Sequence, residues 1–74
     1  MRVYRVRGWF RQGLDVHRFT KEIPAMTQAQ ALERMYSDIG SRHKVKRRMI
    51  RVEEIVELKP EEIKDRKLIG MVEG

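Results

Sequence analysis

Five cations crowd into seven residues of this chain. Arg42, Lys44, Lys46, Arg47 and Arg48 fall within Gly40-Ser41-Arg42-His43-Lys44-Val45-Lys46-Arg47-Arg48, a stretch without an acidic residue. Arginine can clamp a phosphate with two parallel hydrogen bonds, and lysine serves as a mobile point charge. Such a run suits a polyanion, with contacts that fix position rather than base sequence; the plainer reading is a solvated charged loop. A second set is Arg5, Arg7 and Arg11 around Trp9. An aromatic between arginines can stack on an unpaired base. The alternative for Trp9 is packing beneath the C-terminal residues, against Leu68 or Ile69.

Other residue types give little chemistry. His17 and His43 are the only imidazoles and there is no cysteine, so no metal set is expected. His43, inside the cationic stretch, reads better as a hydrogen-bond donor to RNA. Ser41 is too close in sequence to His43 to form a nucleophile pair shaped by a cleft. Glu53, Glu54, Glu57, Glu61 and Glu62 imply no pocket and read as a solvated or protein-facing edge. Neither a Walker loop nor a dinucleotide fingerprint is present. The expectation is a non-enzyme with no cofactor and no metal.

The totals agree with this. The 74 residues carry 17 Lys/Arg and 11 Asp/Glu, a net charge of +6, and a pI near 10.2. The charge is divided along the chain: residues 1–48 hold 12 Lys/Arg against 4 Asp/Glu, and residues 49–74 hold 5 against 7. A basic first two thirds favours nucleic acid or an anionic surface as partner. With 41% hydrophobic residues and no disulfide to brace it, the chain makes one small core, and a bound partner would add to its stability. No apolar run reaches the roughly 18 residues of a membrane span. No signal segment opens the chain, so the expectation is a soluble cytoplasmic protein without a membrane partner.

The elements that position these residues follow from periodicity. Val3 to Arg11 alternates, with Tyr4, Val6 and Phe10 on one parity and Arg5, Arg7 and Arg11 on the other, beside Val3 and Trp9. Gly8 breaks the apolar parity, marking a bulge or a close approach of the helix. A hairpin loop over Arg11 to Asp15 returns a second strand, Asp15 to Ile23, whose poorer alternation suggests an edge position or a bulge, and Pro24 ends it. Thr27 is placed as a helix N-cap with Gln30 as its capping-box partner and Met26 against Ala31 as a staple. Ala31, Leu32, Met35, Tyr36 and Ile39 form one apolar stripe, and Gly40 is the expected left-handed C-terminal glycine.

A third strand follows from Met49 to Leu58, with Ile50, Val52, Val56 and Leu58 on one parity, stopped at Pro60. Beyond it, Glu61 to Arg66 reads as a helical turn, and Leu68 to Val72 as a short fourth strand or a tail. The fold class is α+β: a two-layer β-β-α-β domain over residues 1–58, with an antiparallel sheet covered on one face by one helix, and an extension over 59–74. The uncovered face, with Arg5, Arg7, Trp9 and Arg11, must be solvated or bound.

Ala31-Leu32-Glu33-Arg34-Met35-Tyr36-Ser37-Asp38-Ile39 running into Gly40 to Arg47, preceded by Phe19-Thr20-Lys21-Glu22-Ile23, resembles the archaeal large-subunit ribosomal protein LX family over about residues 1–58. The resemblance implies a structural constituent of the large (50S) ribosomal subunit that binds 23S rRNA without catalysis. It carries over Ser41, Arg42, His43, Lys44, Lys46 and Arg47 as rRNA-facing residues. Arg48 and the sheet-face set of Arg5, Arg7, Trp9 and Arg11 join them from their charge and placement. Neighbouring ribosomal proteins are expected at Glu53, Glu54 and Glu57, and a monomer when isolated. The rival reading is a free RNA-binding regulator or assembly factor. Mutual repulsion of the five cations predicts a mobile loop in the free protein.

Overall fold

The computed structural model describes residues 2–64. Strand β1 spans Arg2–Gln12, β2 Asp15–Ala25, helix α1 Gln28–His43 and β3 Ile50–Leu58. Short 3-10 turns occupy Arg47–Met49 and Pro60–Glu62. The sheet order is β2-β1-β3 and both pairings are antiparallel, so the expected β-β-α-β architecture holds. The fourth strand considered at Leu68 to Val72, and Trp9 packing beneath Leu68 or Ile69, lie outside the described residues.

The β1–β2 hairpin is tighter than Arg11 to Asp15. Gln12 pairs with Asp15, leaving Gly13 and Leu14 as a two-residue turn in which Gly13 has a φ of 63°. A glycine at the first central position suits the strand twist of a II′ turn. Pro24 does not end β2, which runs to Ala25 with Pro24 opposite Val3. An edge strand tolerates a missing N–H, and the Pro24 carbonyl accepts a 2.9 Å hydrogen bond from Arg34 of α1.

The helix begins as expected. Thr27 is extended, and its hydroxyl accepts from the Gln30 amide at 3.1 Å. The Gln30 side chain reaches back one residue further than a standard box, to the Met26 amide. Met26 itself is 59% exposed, so it contributes little as a staple. Ala31, Met35 and Ile39 are buried against Tyr4, Val6, Phe10, Ile23 and Ile50, with Leu32 and Tyr36 packed at the margin. This is the main core, between α1 and the inner face of the sheet. Lys21 also points to that face and binds Asp38 of α1, which accounts for the poor alternation of β2.

The C-terminal end of α1 differs from expectation. Gly40 stays helical and the helix runs on to His43; Lys44 takes the left-handed conformation at φ 54°, and its amide donates to the Gly40 carbonyl. Gly40 serves another purpose, because a Cβ there would lie 3.0 Å from the Val45 carbonyl oxygen. The chain folding back after Lys44 needs that space.

Strand β3 holds a bulge opposite the Arg7–Gly8 step, one of the two readings that Gly8 allowed, although the alternation of β3 itself does not show it. Arg7 pairs with Glu54 and Gly8 with Val52, so Glu53 is an extra residue. Ile50 and Val52 therefore face the helix while Val56 and Leu58, on the same sequence parity, face the other side. Leu58 joins Val3 and Ile63 in a second small cluster with Val56 at its edge. Ile63, just after the Pro60–Glu62 turn, thus covers one end of the face expected to be open. Gly8 is required by the bulged strand and not by the helix: a Cβ on it would lie 2.1 Å from the Arg51 carbonyl oxygen.

Candidate nucleic-acid interface

The cationic stretch is distributed over three local structures. Ser41, Arg42 and His43 form the last turn of α1, Lys44 is its left-handed cap, and Arg47 and Arg48 lie in the 3-10 turn. Cations in a last helical turn complement the negative end of the helix dipole. Arg42 also sits 3.5 Å from Asp38, one turn earlier. Arg47 is held more closely: its two terminal nitrogens meet the Glu33 carboxylate at 3.2 and 2.5 Å, and its guanidinium lies 4.5 Å from the centre of the Tyr36 ring. Two of the five cations are thus matched by helix carboxylates, which corrects the expectation of a wholly unneutralised run. It also removes part of the repulsion on which loop mobility was argued.

His43 is half-buried, with its ring centre 5.0 Å from that of Phe10, and its carbonyl accepts a 2.8 Å hydrogen bond from Gln12. Phe10 in turn stacks on His17 at 5.2 Å. These contacts tie the base of the connection to the hairpin end of the sheet. Ser41 is exposed on the helix side, beside Glu33, Arg34, Ser37 and Asp38. Lys44, Lys46 and Arg48 remain exposed and carry no ion pair among the described residues. Asp38 lies below the ordinary carboxyl value of 3.8, chiefly through the hydrogen bond from Lys21, with the nearby charges of Lys21, Arg42 and His43 acting in the same sense against partial burial.

On the opposite face, β1 presents Arg5, Arg7, Trp9 and Arg11 as expected from parity. Arg7 contacts Glu54 at 3.5 Å on this face, while Arg2 contacts Glu57 at 3.7 Å on the helix side of the sheet, where Glu57 stands opposite Tyr4. Two of the three carboxylates expected to meet a neighbouring protein therefore face arginines of β1. The register places Arg18 of β2 directly beside Trp9 on one flank and Arg51 of β3 on the other. Neither was singled out from the sequence. Counting back from a two-residue turn at Gly13 and Leu14 would have found Arg18, and the parity of Ile50 and Val52 already puts Arg51 on this face; only its place opposite Trp9 depends on the bulge. Met49, where the 3-10 turn enters β3, shares a groove with Trp9, Arg11 and Arg51. The connection and the sheet face therefore meet around the hairpin end of the domain.

Comparison with known proteins supplies the context. The family model for the ribosomal proteins 50S-L18Ae and 60S-L20 matches residues 1–56. Large ribosomal subunit protein eL20 of Methanopyrus kandleri is 43% identical, covering 99% of this chain and 96% of that protein. Its counterparts in Staphylothermus marinus and Aeropyrum pernix are 36% and 37% identical, each over 96% of this chain.

Proposed function

This chain belongs to the ribosomal L18Ae/L20 family, and from that premise we propose that its cationic end holds the 23S rRNA of the large subunit. The protein is a structural, non-enzymatic component of the large ribosomal subunit, working on the ribosome in the cytoplasm. The archaeal relatives carry large-subunit names, in keeping with the resemblance as far as an archaeal large-subunit ribosomal family, under the name eL20 rather than LX.

The observation that carries the RNA reading is the division of labour within residues 42–48. Arg42, His43 and Arg47 are engaged with Asp38, Phe10 and Glu33, and so brace the connection. Lys44, Lys46 and Arg48 project from that braced base without an acidic partner among the described residues and are the phosphate contacts. Arg5 and Arg11 add charge on the sheet face, while Arg7 acts there alongside Glu54.

The test is salt-dependent binding of the full chain to fragments of large-subunit rRNA. Each phosphate contact releases counterions and adds about 0.7 to 0.9 to the slope of log K against log salt. The triple variant K44A/K46A/R48A should flatten that slope by about 2 to 3, whereas R42A and R47A should change it less because those guanidinium groups already face carboxylates. Absence of binding, or an affinity indifferent to salt, overturns the reading.

A further inference from the structure

We propose that Trp9 is the floor of a site for one unpaired RNA base, walled by Arg18 and Arg51 from the two flanking strands. This rests on the RNA-binding reading above and extends it from phosphate contacts to recognition of an extruded nucleotide.

Trp9 is half-buried, so its ring is fixed by the sheet yet keeps a free surface. Two grooves meet on it. One, of about 220 Å³, is lined by Trp9, Arg11, Val16, Arg18 and Glu53; the other, of about 250 Å³, by Trp9, Arg11, Met49 and Arg51. Both lie below the roughly 300 to 1,000 Å³ of pockets that enclose drug-sized ligands, a scale suited to a single planar group. Their chemistry differs. The second groove has two guanidinium groups and no carboxylate, which suits a phosphate. The first adds Glu53, the bulge residue, whose carboxylate repels phosphate and can only accept hydrogen bonds, as from the N–H donors of a base edge or from a hydroxyl. A nucleotide therefore lies with its base on Trp9, its donor edge toward Glu53 and its phosphate toward Arg11 and Arg51. Val16 and Met49 are 52% and 42% exposed, giving the base apolar margins that a duplex backbone would not use.

Trp9 is the only tryptophan in the chain, so its fluorescence reports this site alone. The full chain is titrated with a short single-stranded RNA of mixed sequence and with the blunt duplex of the same sequence. Stacking should quench Trp9 with the single strand and leave it nearly unchanged with the duplex. W9L should weaken single-strand binding about 5- to 150-fold, the range of one base–aromatic stack, without altering the salt slope, and W9F should restore most of the affinity. Circular dichroism checks that both variants fold, and R51A supplies a variant that leaves the ring in place and should weaken the quench.

RNA bound with Trp9 fluorescence unmoved, or by W9L as tightly as by the native chain, refutes the base site while leaving the cationic end intact; the face then belongs to a protein neighbour. Loss of all RNA binding in the native chain removes both readings. In K44A/K46A/R48A the quench at saturation should persist, although more RNA is needed to reach it.

Discussion

Lys44 combines two properties that can be separated by substitution. It caps α1 in the left-handed region at φ 54°, the single non-glycine residue there among the described residues, and it carries a charge exposed at the cationic end. A left-handed conformation costs an L-residue about 1 to 2 kcal/mol. Glycine escapes that cost but has more freedom in the unfolded chain, which returns about 0.5 to 1 kcal/mol. Lys44→Gly should therefore stabilise the fold by about 0.5 to 1 kcal/mol relative to Lys44→Ala, a variant that lacks the charge and keeps the strain. For a domain of this size that corresponds to about 2 to 8 °C in Tm, within reach of thermal denaturation followed by circular dichroism. Both variants should lose the same increment of RNA salt dependence, about 0.7 to 0.9. If K44G melts at or below K44A, the strain argument is wrong. If either variant keeps the native salt slope, Lys44 does not meet a phosphate.

Two further outcomes follow from the core and from Asp38. Gly8→Ala should destabilise by about 3 kcal/mol in urea denaturation, since its Cβ would lie 2.1 Å from the Arg51 carbonyl oxygen and only movement of β3 relieves that clash. The Lys21–Asp38 pair should make stability pH-dependent in acid: the folded-state carboxyl value is lowered, so its contribution is complete above the unfolded value, about 3.9, and is lost as pH falls through the lower folded value. D38N should flatten that acid limb in pH-dependent urea denaturation, by a modest amount because the Asp38 side chain is 41% exposed.

Local signals in the sequence were sufficient for the helix and the hairpin. The stripe from Ala31 to Ile39 and the Thr27 cap arise from contacts within a turn or two, which a linear pattern contains. The end of α1 was misplaced because Gly40 has two physical uses, left-handed backbone and close approach, and only the folded chain shows that Val45 demands the second. Partners of the cationic stretch were hidden for a related reason. Glu33, which holds Arg47, lies 14 residues earlier and becomes its neighbour only when the chain folds back along α1. On β3 the parity of Ile50, Val52, Val56 and Leu58 was read correctly as strand and wrongly as one face. A single inserted residue changes the side without breaking the alternation. Alternation alone already sets Arg51 on the face opposite Ile50 and Val52; the insertion, at the step that Gly8 marked, decides that Arg51 and not Val52 stands beside Trp9.

That bulge also bears on how the protein survives before it is assembled. Among the described residues β3 is an outer strand, and such an edge can recruit another chain through its unsatisfied amides and carbonyls. Glu53 interrupts that row near its middle and bends the strand, while Glu54 and Glu57 add negative charge along it. A second copy approaching edge to edge would meet a mismatched ladder. The irregularity that sends one strand's apolar residues to two cores thus also makes that edge a poorer template for a second copy.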